Sequence, residues 1–239
     1  MTSRVFDFSF DQLQISFSDI ELMLGYDPGH ASSPIADNIR KVMDEVVDHC
    51  SIKGGYFIFD DPVMDKKNHT VSIEKSDLHV ERQVFEQVSH STRIAVFCCS
   101  AGRKISDWSQ HLIAENNLLK GYLVDVLGTL VVESAMMKIQ VELMSDMKAE
   151  KLKTTNRYSP GFCGWDSIER QRLFKLFPQD FCGVMVNDNG ELVPLKSLSG
   201  IIGIGRHVSY HTYDCDECDL KSCIYRTHKM EDYMDHNGH

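Results

Sequence analysis

No run of apolar residues in this 239-residue chain approaches the roughly 18 needed to span a bilayer. The opening, MTSRVFDFSF, has neither the basic stretch nor the apolar stretch of a secretory leader. Positive charge is also short, with 25 lysines and arginines against 35 acids for a formal net charge of −10. A chain this acidic repels phosphate backbones, so DNA, RNA and anionic membranes drop out as leading partners. Internal repeats and low-complexity linkers are missing as well. The expectation is a cytoplasmic protein, built as one large domain or two small ones. Apolar residues at 42% and charged residues at 25% give it an ordinary globular composition.

Eight cysteines in a chain without a leader do not read as a disulfide framework. Cys50, Cys98, Cys99, Cys163 and Cys182 are scattered, whereas Cys215, Cys218 and Cys223 fall within nine residues of one another. Composition alone does not explain that cluster.

The hydrophobic pattern places the elements. Residues 4–17 alternate, with Phe6, Phe8 and Phe10 on one side, and predict a strand or hairpin. Ser18 with Glu21 has capping-box spacing and predicts a short helix ending at Gly25. Pro34 opens a second helix with Ile35, Ile39, Met43, Val46 and Cys50 as its apolar stripe; Gly54-Gly55 is expected to end it. YFIF (56–59) and RIAVFCC (93–99) read as buried strands, with a polar, hairpin-like stretch between them. Residues 106–150 read as mostly helical, broken near Asn116-Asn117 or Gly121, and 154–165 as a turn-rich loop. Asp166 with Glu169 starts another helix, which Pro178 stops, and short strands follow to about residue 205. Helices and strands mix without a βαβ beat, so the class is α+β. The predicted division is 1–206 as the folded domain and 207–239 as a Cys/His-rich tail.

Arg157-Tyr158-Ser159-Pro160-Gly161-Phe162 carries the most chemistry. Pro160-Gly161 forces a sharp turn, and the glycine lets a ligand approach bare backbone. An arginine at the mouth of such a loop suits a carboxylate, which it binds with a planar fork. The plainer reading is a surface turn whose arginine pairs with a nearby acid. For Glu133, on the long helix, the plainer reading is a solvated acid at a helix edge.

These residues resemble the R-x-x-P-G-Y loop in the activation domain of cobalamin-dependent methionine synthase. Three further stretches in the right order strengthen the resemblance. Glu21-Leu22-Met23-Leu24-Gly25-Tyr26 is similar to the E-V-L-R-Y-L-G-Y opening of that family. Val132-Glu133-Ser134-Ala135 is similar to its A-E-A-x-A-E helix, and Leu192 to Gly200, LVPLKSLSG, to its M-x-P-x-x-S-V-S-G strand. Gly164-Trp165 and P-x-K-S match the stand-alone relatives of the domain more closely.

The resemblance implies a C-shaped α+β domain with a twisted antiparallel sheet and flanking helices. It implies S-adenosylmethionine as ligand, with Arg157 on its carboxylate and Glu133 compensating its amino and sulfonium charges. Pro160, Gly161 and Phe162 would form the cradle, Phe162 standing where the family has a tyrosine. The implied function is reductive reactivation, in trans, of a cobalamin-dependent methyltransferase, methionine synthase being the first candidate. The partner's cobalamin-binding domain supplies the corrinoid, because no D-x-H-x-x-G loop occurs here. A flavodoxin- or ferredoxin-type donor supplies the electron. The competing functions are a metal-clipped scaffold of the same fold without S-adenosylmethionine, and an iron–sulfur corrinoid reductase.

Both alternatives rest on Cys215-x-x-Cys218-x4-Cys223. Two cysteines two apart chelate one soft metal, and a third from the next turn gives three ligands. Zinc would make a structural clip and an iron–sulfur cluster an electron carrier; three free thiols or a redox pair is the bland choice. The expected outcome is roughly one metal or cluster per chain, lost in each of Cys215→Ser, Cys218→Ser and Cys223→Ser. Elemental analysis of anaerobically purified protein that found neither zinc nor iron would remove the site.

Overall fold

The computed structural model describes residues 2–211. The alternating N-terminal segment forms β1 (Thr2–Phe8), with Phe6 and Phe8 stacked on one side at 5.7 Å. The strand stops there. Phe10–Leu13 turns into a single 3-10 turn that buries Phe10 and Leu13, so the predicted extension to residue 17 does not form. Helix α1 (Phe17–Met23) is capped by Ser16 and Asp19 rather than by Ser18 and Glu21. The Ser16 hydroxyl accepts from the Asp19 N–H at 3.2 Å, and the Asp19 carboxylate accepts from the Ser16 N–H at 2.7 Å. That releases Glu21 for a different task. It is buried, and its carboxylate accepts the Gly29 and Ala31 N–H groups at 2.7 and 3.0 Å, closing the loop after α1.

Helix α2 (Ser33–Glu45) starts at Pro34 as expected and buries Ile39 and Val42. The glycines expected to end it lie instead inside β2 (Ile52–Asp60). A Cβ on Gly54 would sit 2.4 Å from Ile139 Cδ1 and 3.0 Å from Cys99 Sγ, so a side chain there would displace Ile139. Three short strands follow, β3 (Val63–Asp65), β4 (Thr70–Ile73) and β5 (Ser76–His79), paired antiparallel as a small separate sheet. Next come α3 (Arg82–Val88), β6 (Arg93–Ser100), α4 (Arg103–Ala114) and the 32-residue α5 (Leu118–Ala149), with the α4–α5 break at Asn116-Asn117.

The stretch expected to be a loop from residue 154 begins as β7 (Lys153–Tyr158). Pairing with a neighbouring strand overrode its turn-rich composition. The remainder comprises the one-turn α6 (Arg170–Leu173), β8 (Met185–Val186), β9 (Leu192–Val193) and β10 (Ser197–Gly205).

Five strands form the central antiparallel sheet in the order β1-β2-β6-β10-β7. Along β6, Ala95, Phe97 and Cys99 enter one core while Ile94, Val96 and Cys98 enter the other. Both faces of the strand are therefore covered, which is why RIAVFCC reads as an unbroken apolar run. Helices α1, α2, α4 and α5 pack on the first face; the three-stranded sheet, α3 and α6 cover the second. The α+β class and antiparallel sheet expected from the sequence are what the chain adopts. No helix among the described residues is long and apolar enough to cross a membrane. At the end of the described chain Val208 is buried, and the His211 N–H donates to Asn156 Oδ1 at 2.8 Å.

Glu21 makes stability depend on pH. The Gly29 N–H, and with it the Ala31 N–H, holds its carboxyl below the usual carboxylate range, against the opposing effect of burial. A depressed folded pKa contributes stability that is present above the unfolded value of about 4.3 and lost as pH falls through the folded value. Glu21→Gln should therefore unfold at lower urea than the native chain at pH 7. The gap should narrow in titrations carried below about pH 4. A gap independent of pH would show that the charge is not what the loop requires.

Candidate ligand-binding site

The site residues come from the outer edge of the sheet and the helix lying on it. β7 is an edge strand, and its pairing with β10 slips between Ile202 and Ile204. Thr155 fills the bulge: its hydroxyl accepts from the Gly203 N–H at 2.9 Å and donates to the Asn156 carbonyl at 2.7 Å. Beyond the bulge Arg157 stands opposite Ile202, whose side chain belongs to the core under α5. The guanidinium is thereby carried to α5, where Nη2 donates to Glu133 Oε2. The two side chains are 14% and 20% exposed, so the pair is mostly but not wholly withdrawn from water.

The two residues singled out from separate stretches of sequence are thus direct partners. The plainer expectation for Arg157, an ion pair with a nearby acid, holds in this structure, and the acid is the other candidate. Glu133 is not a solvated acid at a helix edge.

After Tyr158 the chain leaves the sheet in a turn. Pro160 is buried, Gly161 to Gly164 are exposed, and Trp165 is buried again at 2%. The Gly161 N–H donates to the Trp165 carbonyl at 2.7 Å, and the Phe162 N–H to the Ser159 carbonyl at 3.1 Å. The loop is held at both ends and presents its tip, with Phe162 48% exposed at the rim. Gly161 has φ +95°, in the left-handed region that favours glycine. Arg170 fixes the loop from outside, donating to the Pro160 carbonyl at 2.5 Å and the Gly190 carbonyl at 2.8 Å.

A second ion pair lies on the same helix. Lys196, just before β10, donates to Asp125 Oδ1 and to Thr129 Oγ1, each at 2.9 Å. Sequence reasoning missed Arg170, Asp125 and Thr129, and quoted Lys196 without giving it a role. The polar positions 125, 129 and 133, spaced four apart in the apolar first half of the helix, were a readable signal; their partners from the sheet were not.

Two hollows lie away from these residues. One of about 440 Å³ is lined by Phe10, Gln14, Met43 and Val47, and one of about 310 Å³ by Tyr56, Arg93, Asp146 and Glu150. None of the five expected ligand residues lines either. Among the described residues no group of three His, Cys, Asp or Glu side chains is placed to hold a metal. Cys215, Cys218 and Cys223 lie outside the described residues. Burial pushes the Cys98 and Cys99 thiols far up, which removes both as nucleophiles.

Compared with solved structures, the chain is similar to the crystal structure of the MetH reactivation domain bound to AdoHcy. The TM-score is 0.66 over the whole of this chain and 86% of that one, at 11% identity. The fold is that of the MetH reactivation domain. No family model matches the chain, and no curated protein matches it. An identity of 11% is a likeness of architecture, which by itself assigns no residue a role.

Gly161→Ala tests the loop geometry. Its Cβ would lie 2.6 Å from Arg170 Nη2, on a backbone angle that side chains disfavour. The expected cost is about 1–3 kcal/mol of unfolding free energy. Equilibrium urea unfolding measures it, and an unchanged midpoint would mean that the Arg170 clamp does not hold the loop.

Proposed function

We propose that this chain binds S-adenosylmethionine between Arg157 and Glu133 and presents its methyl group to a corrinoid carried by a partner methyltransferase. The partner would be a cobalamin-dependent enzyme in need of reductive reactivation, methionine synthase first among them. The observation that carries the proposal is the Arg157–Glu133 pair, mostly withdrawn from water at the edge strand of a reactivation-domain fold, three residues before the Pro160-Gly161 turn.

The residues fit such a ligand for an electrostatic reason. A methionyl head group brings one carboxylate together with positive amino and sulfonium groups. On binding, Arg157 exchanges the Glu133 carboxylate for that of the ligand, and Glu133 takes the positive groups in return. Neither protein charge is left unpaired at a poorly hydrated position, the situation that makes breaking a buried pair so costly. A neutral or singly charged ligand has no such exchange and would have to pull the pair apart.

The Gly161 main chain offers bare backbone beside the ligand, and exposed Phe162 gives the rim an apolar surface for an incoming domain. When bound, the ligand's sulfonium supplies an electrophilic methyl for the partner's reduced cobalt. This chain's own residues orient it, balance its charge and leave one side open. A flavodoxin- or ferredoxin-type protein would reduce the partner. The three C-terminal cysteines enter the proposal as a zinc clip or an iron–sulfur centre.

Calorimetry with S-adenosylmethionine, and S-adenosylhomocysteine for comparison, tests the reading. Arg157→Ala should cost on the order of 2 kcal/mol of affinity, the value of a charge-assisted hydrogen bond. Arg157→Lys should restore only part, because an ammonium lacks the planar fork. Glu133→Gln should weaken S-adenosylmethionine more than S-adenosylhomocysteine, which has no sulfonium charge to compensate. Native protein that binds neither compound would overturn the proposal.

A further inference from the structure

Asp125, Thr129 and Glu133 succeed one another at four-residue intervals on α5 and so lie on one side of the helix, within about 80° of each other. Each of the two acids is paired with a base brought from the sheet: Asp125 with Lys196, and Glu133 with Arg157. Eight residues separate the acids, which is about 12 Å along the helix axis. The helix buries fourteen of its residues, and its other ion pairs, Lys120 with Glu45 and Glu142 and Asp146 with Arg4, lie to either side of this row.

Lys196 is held in place with care. Its side chain is 13% exposed, and its stem lies over Gly128, where a Cβ would be 3.1 Å from Lys196 Cγ. Its ammonium is fixed by Asp125 and Thr129 together. Asp125 by contrast remains 44% exposed, with Lys196 on one of its two carboxylate oxygens. The cluster therefore shows water an oriented carboxylate backed by a fixed positive charge, two helical turns from the Arg157–Glu133 pair.

We infer that Asp125, oriented by Lys196 and Thr129, is the second anchor of the ligand and binds the ribose hydroxyls of its adenosyl half. This inference rests on the reading that Arg157 and Glu133 take the methionyl half. The separation of the pairs matches an extended ligand carrying an amino acid at one end and a nucleoside at the other. A carboxylate is the side chain that accepts hydrogen bonds from a vicinal diol, as it does in dinucleotide sites. Lys196 keeps that carboxylate aimed, acting as a positioning residue. The division of labour follows: the Arg157 end binds any methionyl sulfonium, and the Asp125 end selects those bearing a nucleoside.

Competition calorimetry with S-adenosylmethionine and S-methylmethionine, which shares the amino acid and sulfonium but lacks the nucleoside, separates the two anchors. In the native protein S-adenosylmethionine should bind more tightly. Asp125→Asn and Lys196→Met should each reduce that preference about tenfold, roughly one charged hydrogen bond, while leaving S-methylmethionine unchanged. Arg157→Lys should weaken both ligands and keep the ratio. Circular dichroism and urea unfolding establish that each variant is folded, and Asp125→Asn alone suffices if Lys196→Met is not. A folded Asp125→Asn with the native ratio would overturn the inference while leaving the Arg157 site standing. Equal loss of both ligands would make the cluster purely structural. Native protein that bound neither compound would overturn the underlying ligand reading instead.

Discussion

Helix α5 packs against the sheet through space that Gly54 leaves by having no side chain. Ile139 reaches into the place where a Cβ would stand, 2.4 Å from its Cδ1, and lays a 32-residue helix on β2. Leu123, Val124, Leu127, Val131, Ala135 and Leu143 complete the core beneath it. The burial of each large aliphatic side chain contributes roughly 1.5–3 kcal/mol, so the helix is held far more firmly by packing than by propensity. A rigid helix is what allows charged residues on its flank to be placed with precision.

Those charges meet their partners at the sheet rather than in solvent. Arg157 arrives from an edge strand after a bulge, and Lys196 from the segment that leads into β10. Exposed ion pairs of this kind contribute little to stability, commonly under about 1 kcal/mol, whereas removing one partner from a withdrawn pair is costly. Arg157–Glu133 belongs to the second sort at 14% and 20% exposure.

Much of the fold was legible in the chain itself. The strand at 56–59 (the centre of β2), the strand at 93–99, Pro34 in the first turn of α2, the α4–α5 break and the strand that ends near residue 205 all follow from apolar runs and breakers. Two misreadings share a cause. Gly54-Gly55 looked like a stop and is a packing hollow; the start of 154–165 looked like a loop and is an edge strand. In both a partner remote in sequence decided the local structure, and local composition carries no record of it. The third was local: Ser16 with Asp19 took the cap assigned to Ser18 with Glu21.

The sequence by itself determined which residues have the chemistry: an arginine before a Pro-Gly turn, a glutamate on an apolar helix, three clustered cysteines and an acidic balance. It determined too that the chain would fold as α+β, because the period of its apolar residues changes from two to helical spacing and back. Only the tertiary structure decided that Arg157 and Glu133 hold each other, since they lie 24 positions apart and meet through strand pairing and helix packing. It alone brought Lys196 to Asp125 and Arg170 to the Pro160 carbonyl. Side-chain type is written locally, but an ion pair is a distance, and distances between remote residues exist only once the core has closed.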